Sequence, residues 1–364
     1  MGAPLPPAAY AVALAGLPWA SHKHLRAVLA GRDPEETWTR VRAGAAVVTT
    51  TLADVWRRHA NAVDVAAVWQ AHRRAGVHVL LPGDDRFPAA FADDPEPPAV
   101  LFVAGAPETI APPTVAVVGT RRCTHYGRDV ARELGHDLAA AGVQVVSGLA
   151  LGIDGAAHSG ALLAAATPPV AVVGSGLDVV YPRRHDELWR RVAASGAVLS
   201  EAPLGTPPEA WRFPARNRLI AALSSVVVVV ESHRAGGSMH TVDAAIVRDR
   251  TVMAVPGPVR SGASQGTNGM LAEGVAPVRD AGDVLVALGL SGARPTPPPD
   301  GRPAPDADGR TVLEAVGWSP ATTEEVAARV GVPLGPVTVH LTRLERDGWL
   351  VKRGAWWERV AVPR

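Results

Sequence analysis

Five consecutive valines, Val226 to Val230, constrain the fold of this chain more than any other stretch. Such a run favours a strand that is buried on both faces, as in a parallel sheet covered by helices. Three arginines and a phenylalanine lie before it, between Arg212 and Arg218, and no acidic residue occurs from there to Glu231. A Gly-rich turn, Ala235 to Ser238, follows the run and is able to present backbone N–H groups to an anion. Together these features predict a binding site for a polyanion.

From Thr114 onwards, short β-branched runs alternate with segments of helical pattern. The predicted strands are Val115–Val118, Val143–Val146, Val170–Val173, Ala197–Leu199, Val226–Val230 and Val252–Val255. The predicted helices are Gly127–Ala141, Ala156–Ala166, Asp186–Ala194, Arg216–Leu223 and His240–Arg248. This alternation indicates a doubly wound α/β domain with a mostly parallel sheet, whose ligands bind at the carboxyl ends of the strands.

The flanking segments predict further domains. Residues 1–75 carry apolar residues at helical spacing and predict an N-terminal helical domain; residues 76–290 contain the α/β domain. The sequence Leu17-Pro-Trp-Ala-Ser stands where a helix-hairpin-helix has its hairpin, but it lacks the glycines that allow backbone contact with a phosphate. Residues 291–309 are rich in proline and predict a linker.

The last segment, residues 310–364, has the pattern of a winged helix. Three predicted helices, Arg310–Val316, Thr323–Val330 and Leu334–Asp347, precede a hairpin that begins near Gly348. From Pro305 to Arg364 there are eight Arg and Lys and eight Asp and Glu, a net charge of zero. DNA binding, protein contact and a structural role therefore all remain open for this module.

Composition limits the classes of function. The formal net charge of the 364 residues is only +1, so any basic surface must be local. Cys123 is the single cysteine, which excludes an internal disulfide and fits a reducing cytoplasm. The N-terminus has no basic signal-peptide region, and the apolar run Leu219 to Val230 is too short to cross a bilayer. We therefore expect a cytoplasmic protein with no membrane partner.

Common catalytic and nucleotide motifs are incomplete. No turn completes Gly-x-Gly-x-x-Gly, because Val179 stands at the third glycine position after Gly174-Ser-Gly176, and no P-loop lysine is present. Gly236-Gly-Ser238-Met-His240 lacks the second glycine of a hydrolase nucleophile elbow. Asp154 and His158 are a possible metal or acid–base pair, but helix capping with local hydrogen bonding is the simpler interpretation.

A convergence of arginines is the positive signal that remains. Arg121 and Arg122 follow the first strand of the sheet, and Arg183, Arg184 and the cluster Arg212, Arg216 and Arg218 follow later strands. At the carboxyl edge they would meet phosphates, and Phe213 would stack on an unpaired base. The alternative is that Arg216 and Arg218 only pair with carboxylates such as Glu201 and Glu231. Residue chemistry alone does not separate the two.

The chain resembles the DNA-processing protein A family, also called DprA or Smf, over about residues 81–278. The matching blocks are Val118-Gly-Thr-Arg, Ser147-Gly-Leu-Ala-Leu-Gly-Ile-Asp-Gly-Ala-Ala-His-Ser-Gly-Ala-Leu, Gly174-Ser-Gly-Leu-Asp-Val-Val-Tyr-Pro, Leu199-Ser-Glu, Phe213-Pro-Ala-Arg-Asn-Arg-Leu-Ile and Pro256-Gly, with a weaker match at Gly266-Thr-Asn-Gly-Met-Leu. The sequence departs from the family pattern at Ala222, Gly236, His240 and Cys123.

The resemblance implies an extended Rossmann-like fold and a non-catalytic protein without a cofactor. It implies binding to single-stranded DNA, dimerisation with contacts near 266–278, and loading of RecA recombinase during natural transformation. The DNA-binding residues that it implies are Gly119, Arg121, Ser147, Gly148, Gly174, Ser175, Gly176, Phe213, Arg216, Asn217, Arg218, Ser238 and Thr241.

Two other functions use the same features. A phosphoribohydrolase of the lysine-decarboxylase-like type would bind a nucleotide at the glycine-lined edge, but its Pro-Gly-Gly-x-Gly-Thr signature is missing, since Pro258 follows Pro256-Gly257. A transcription regulator would act through the winged helix, which the net charge of zero disfavours.

Overall fold

The computed structural model of the chain describes residues 4–46, 48–290 and 302–360. These residues belong to two compact units that divide at residue 295. Within the described residues, none of the helices is both long enough and apolar enough to cross a membrane.

Five helices form a layer at the start of the first unit. They are α1 (Pro7–Ala15), α2 (His22–Leu29), α3 (Pro34–Arg42), α4 (Thr50–Ala62) and α5 (Val65–Arg74). Their apolar faces share one hydrophobic cluster with residues of the sheet such as Val79 and Phe102. Trp56 of α4 is fully buried there, and its indole N–H donates to the Pro18 carbonyl at 2.9 Å, which fixes the hairpin between α1 and α2. The boundary at residue 75 stays a prediction.

A nine-stranded sheet forms the centre of the first unit. Its strands are β1 (His78–Leu80), β2 (Leu101–Gly105), β3 (Thr114–Val118), β4 (Gln144–Ser147), β5 (Val170–Val172), β6 (Ala197–Ser200), β7 (Val226–Val229), β8 (Thr251–Ala254) and β9 (Ala276–Pro277). The spatial order is β1-β2-β6-β5-β4-β3-β7-β8-β9, and only the pairs β1–β2 and β2–β6 are antiparallel. The predicted mostly parallel sheet is confirmed.

The valine run becomes β7 because apolar layers bury both of its faces. Val227 and Val229 belong to the hydrophobic cluster that contains Leu219, whereas Val226 and Val228 belong to the cluster that contains Leu134. Val227 lies opposite Ala116 of β3 on one side and Val252 of β8 on the other, both in parallel register. All residues of β7 are buried. The strand therefore carries the loop after it, from Glu231 onwards, to the same edge as the loop after β3.

Seven helices surround the sheet in the first unit. They are α6 (His125–Ala140), α7 (Ile153–Ala164), α8 (Asp186–Ser195), α9 (Arg212–Leu223), α10 (Met239–Ile246), α11 (Gln265–Ala272) and α12 (Ala281–Ala287). The helix α9 begins at Arg212, about one turn before its predicted start at Arg216. Pro214 lies in the first turn, where no intrahelical N–H bond is required, so the helix begins at Arg212.

The second unit is a winged helix, as predicted. Its helices are α13 (Ala307–Val316), α14 (Thr323–Val330) and α15 (Leu334–Arg346), and its three-stranded sheet contains β10 (Ala321–Thr322), β11 (Leu350–Arg353) and β12 (Trp356–Arg359). The fully buried Trp357 and Leu341 lie in its core. Most of the predicted linker, residues 291–301, lies outside the described residues.

Candidate functional site

A cleft of about 460 Å³ opens at the carboxyl edge of β3 and β7. Four segments form its walls: the loop after β3, residues 150–154 at the start of α7, the N-terminal half of α9, and residues 233–241, which include the start of α10. The structure brings seven of the predicted residues together here: Gly119, Arg121, Phe213, Arg216, Asn217, Ser238 and Thr241. The lining also includes Arg122, His233 and His240, which the list of predicted binding residues did not contain.

A stack of three side chains stands at the mouth of the cleft. The guanidinium of Arg121 lies 4.6 Å from the ring centroid of Phe213, and the ring of Tyr181 lies 5.6 Å from that of Phe213. Arg121 and Tyr181 are exposed, and Phe213 is half-buried. This arrangement offers a cation and aromatic surface to the same ligand. Tyr181 was present in the sequence only as part of a matched block, and its role in the stack depends on the fold.

The guanidinium of Arg216 is buried beneath this stack. Its Nη1 donates to the carbonyls of Gly148, at 2.7 Å, and Val172, and its Nε donates to Oδ1 of Asn217 at 2.9 Å. These bonds connect α9 to the carboxyl ends of β4 and β5. Burial lowers the pKa of Arg216 to about 10, so the group is still charged at neutral pH and adds positive potential to the floor of the cleft.

Gly148 is required by this contact. A Cβ atom on residue 148 would lie 1.9 Å from Nη1 of Arg216, closer than any real contact. Asp154, in the first turn of α7, accepts a hydrogen bond from the Gly148 amide at 3.1 Å and lies 3.8 Å from Nη2 of Arg216. Burial raises the pKa of Asp154, while the nearby Arg216 acts in the opposite direction. Asp154 thus ties the loop after β4 instead of capping its own helix.

Hydrogen bonds fix the segments that surround the cleft. Nδ2 of Asn217 donates to the Gly237 carbonyl at 3.3 Å, which fixes the Gly-rich turn against α9. The Ser238 hydroxyl donates to that of Ser232 at 2.8 Å. The carboxylate of Glu231 accepts from both the amide and the hydroxyl of Thr124, at 2.8 and 2.6 Å, and so anchors the loop that carries Arg121.

Arg218 lies outside the cleft, so its predicted place in a basic wall there is wrong. Its Nη2 donates to both carboxylate oxygens of Glu201, at 2.5 and 2.6 Å, and its Nη1 donates to the Glu96 carbonyl at 2.8 Å. The pairing with Glu201 is the alternative that the sequence left open. Arg183 and Arg184 likewise lie outside the cleft, on a short 3-10 turn, Arg183–His185.

The remaining predicted residues support the edge from neighbouring positions. The Ser147 hydroxyl is buried and donates to the Val117 carbonyl at 2.7 Å. Gly148 lines a smaller cavity next to the cleft, on the other side of Phe213. Gly174 packs under Arg212, while the Ser175 hydroxyl donates to the Val179 carbonyl at 2.8 Å and the Gly176 amide to Thr206. These three residues lie beside β5, beyond the start of α9.

The sequence matches two family models. The model described as DNA recombination-mediator protein A matches residues 78–289, a range that contains the whole nine-stranded sheet and the cleft. The model described as DprA winged helix domain matches residues 295–354. Among curated relatives, protein Smf of Escherichia coli strain K12 is 37% identical over 286 residues, which cover 75% of this chain and 75% of that protein.

Two solved structures are also similar. DNA processing protein A from Streptococcus pneumoniae aligns with a TM-score of 0.67 at 29% identity, over 78% of this chain and 98% of that chain. DNA processing protein A from Helicobacter pylori, solved to describe its single-stranded DNA binding mode, aligns with a TM-score of 0.53 at 30% identity. That alignment covers 58% of this chain and 95% of the Helicobacter pylori chain.

Acid is expected to destabilise the fold through His158, in α7 below the cleft. Burial lowers the pKa of this imidazole to about 3, from an ordinary value of 6.5. Between these values the unfolded chain binds a proton that the folded chain does not, so the free energy of unfolding falls by ~1.4 kcal/mol for each pH unit of acidification. We expect His158→Leu to remove this contribution when urea midpoints are compared between about pH 7 and about pH 5.5.

His59→Leu, at a partly exposed position of α4, is the matched control and should keep the wild-type pH dependence. If His158→Leu loses stability with acid as steeply as the wild type, buried neutral His158 is not a source of the acid sensitivity.

Proposed function

This chain belongs to the DNA recombination-mediator protein A family, and from that premise we propose that it binds single-stranded DNA as a recombination mediator, without catalysing a reaction. The observation that supports the proposal most directly is the Arg121–Phe213 stack at the mouth of the cleft. An exposed guanidinium suits a phosphate, and an aromatic ring beside it suits a base. The site therefore combines the two contacts that a single strand offers at every nucleotide.

The geometry favours a single strand over a duplex. In a duplex each base is already stacked between its neighbours, so a half-buried ring such as Phe213 has no free base face to contact. The volume of the cleft, about 460 Å³, is also of the size of a nucleotide rather than of a double helix.

The charges divide between two roles. Arg121 is exposed, whereas Arg216 is committed to backbone carbonyls and Arg218 to Glu201. We therefore assign the phosphate contact to Arg121 and treat Arg216 as the group that supports the floor of the cleft. Gly119 allows the loop after β3 to pack closely, because a Cβ there would lie 2.6 Å from the Ile153 side chain.

The finer function that we propose is the loading of RecA recombinase on single-stranded DNA, in the cytoplasm, during natural transformation. It follows from family membership together with the proposed binding site.

The test of RecA loading measures the lag before RecA filaments form on DNA covered by a single-strand-binding protein. The wild-type chain should shorten the lag and Arg121→Glu should not. Equal lags with and without the wild-type chain would contradict RecA loading.

We also propose a homodimer that forms through the surface of α11. The adjacent edge strand, β9, contains Pro277, which lacks the N–H needed to pair with another strand. Contact between helix surfaces therefore suits a dimer better than pairing of the edge strands of two copies. Ala272 is exposed on α11.

Light scattering should give twice the mass of one chain for the wild type and for the control variant Ala287→Arg. For Ala272→Arg it should give the mass of one chain. A monomeric wild type would contradict the dimer.

The test of DNA binding compares labelled single- and double-stranded oligonucleotides over a salt series. We expect tighter binding to the single strand, with affinity falling as salt rises. Phe213→Ala should weaken it by about 1–3 kcal/mol, the value of one base–aromatic stack, and Phe213→Tyr should retain most of the affinity. Arg121→Glu should weaken binding by more than tenfold, about 1.4 kcal/mol, because it replaces an attraction with a repulsion.

Arg74→Glu, an equal charge change at an exposed position of α5, is the matched control and should bind as the wild type does. Preference for the duplex, or single-strand affinity that survives both Arg121→Glu and Phe213→Ala, would rule out the cleft as the binding site.

A further inference from the structure

A second aromatic platform stands beside the cleft at the start of α9. Trp211 precedes the helix and is 43% exposed, and the guanidinium of Arg212 lies 4.3 Å from the centroid of its ring. One carboxylate oxygen of Glu209 accepts from both the indole N–H, at 3.1 Å, and Nε of Arg212, at 3.0 Å. These bonds fix the indole by its edge and offset the charge of Arg212. The platform is therefore suited to stacking more than to phosphate attraction.

Trp19, in the hairpin between α1 and α2, is the most exposed tryptophan of the first unit, at 73%. Its φ of 55° lies in the left-handed region, which is unfavourable for a bulky side chain and natural for glycine. The bond from the buried Trp56 indole to the Pro18 carbonyl holds the hairpin in this conformation. The strain is not offset by burial of the ring, so the exposed indole at residue 19 calls for a role outside the core.

The hairpin and the Trp211 platform lie side by side. A small cavity between them is lined by Ala20 and His22 on one side and by Gly174, Trp211 and Arg212 on the other. Trp211 is two residues from Phe213, so their Cα atoms are at most ~8 Å apart. In the order of the sheet, the cleft lies at β7 and β3, the Trp211 platform near β5, and the hairpin near β6.

We propose that the single-stranded DNA surface continues from the cleft over Trp211 to Trp19, so that the N-terminal helical layer takes part in binding. This inference rests on the proposed function and adds two stacking positions to it. OB folds, which also bind single strands, contact about 4–16 nucleotides each, and a cleft the size of one nucleotide would hold only part of such a length. The continuity with Phe213 and the fixed, exposed indole of Trp211 favour bases as the occupant over the surface of a partner protein.

The test measures affinity for oligothymidylates of about 4 and about 16 nucleotides. For the double variant Trp19→Gly with Trp211→Ala, we expect a loss of about tenfold or more on the longer strand and less than about twofold on the shorter one. Leu163→Ala, which removes an exposed apolar side chain near the far end of α7, is the control and should bind both lengths as the wild type does.

Thermal unfolding separates binding from structure. Because glycine suits the backbone at residue 19, Trp19→Gly should not lower the unfolding temperature although it weakens binding of the longer strand. Wild-type affinity of the double variant for the longer strand, together with weak binding by Phe213→Ala, would overturn this inference alone and would assign the two tryptophans to a protein contact. Failure of the wild type to bind either length would instead overturn the proposed function.

Discussion

The buried guanidinium of Arg216 holds the carboxyl edge of the sheet together. A charged group removed from water must be compensated. Here the carbonyls of Gly148 and Val172 accept hydrogen bonds from the guanidinium, and Asp154 lies 3.8 Å away. These partners come from the ends of β4 and β5 and from α7, so one side chain fixes three elements relative to α9. The first turn of α9, with Phe213, takes its position at the mouth of the cleft from that arrangement.

Arginines of one short segment consequently have different roles. Arg216 and Arg218 are buried and donate hydrogen bonds to other groups of the protein, and Arg212 stacks on Trp211. The exposed Arg121 belongs to a different loop, 91 positions before Arg212. A cluster of positive charge in the sequence is therefore largely a scaffold in the fold. An exposed cation of the cleft, Arg121, comes instead from the loop after β3.

The sheet could be predicted because β-branched runs such as Val226 to Val230 leave few alternatives to a buried strand. The helix α11 could not be predicted, because Gly266 and Gly269 lower the helical propensity of its sequence. Tertiary contacts stabilise the helix in the folded chain. The assignment of Arg121 and Phe213 to one cleft followed from the predicted doubly wound sheet, whose strands place their carboxyl ends at one edge, and from the family resemblance. The burial of Arg218 against Glu201 could not be predicted in this way, because the spacing of charges along a chain does not reveal which side chains are removed from water. Trp19 lacked any signal, since its strain is a property of the folded hairpin.

The central claim is that single-stranded DNA lies along the carboxyl edge of this sheet, with a base on Phe213. Photo-cross-linking of the full chain to a 5-iodouracil-substituted single strand, followed by mass-spectrometric mapping, tests it most directly. We predict cross-links at Phe213 and Tyr181 at the cleft. Cross-links confined to exposed aromatic residues of the winged helix, such as Trp318 and Trp356, would contradict it.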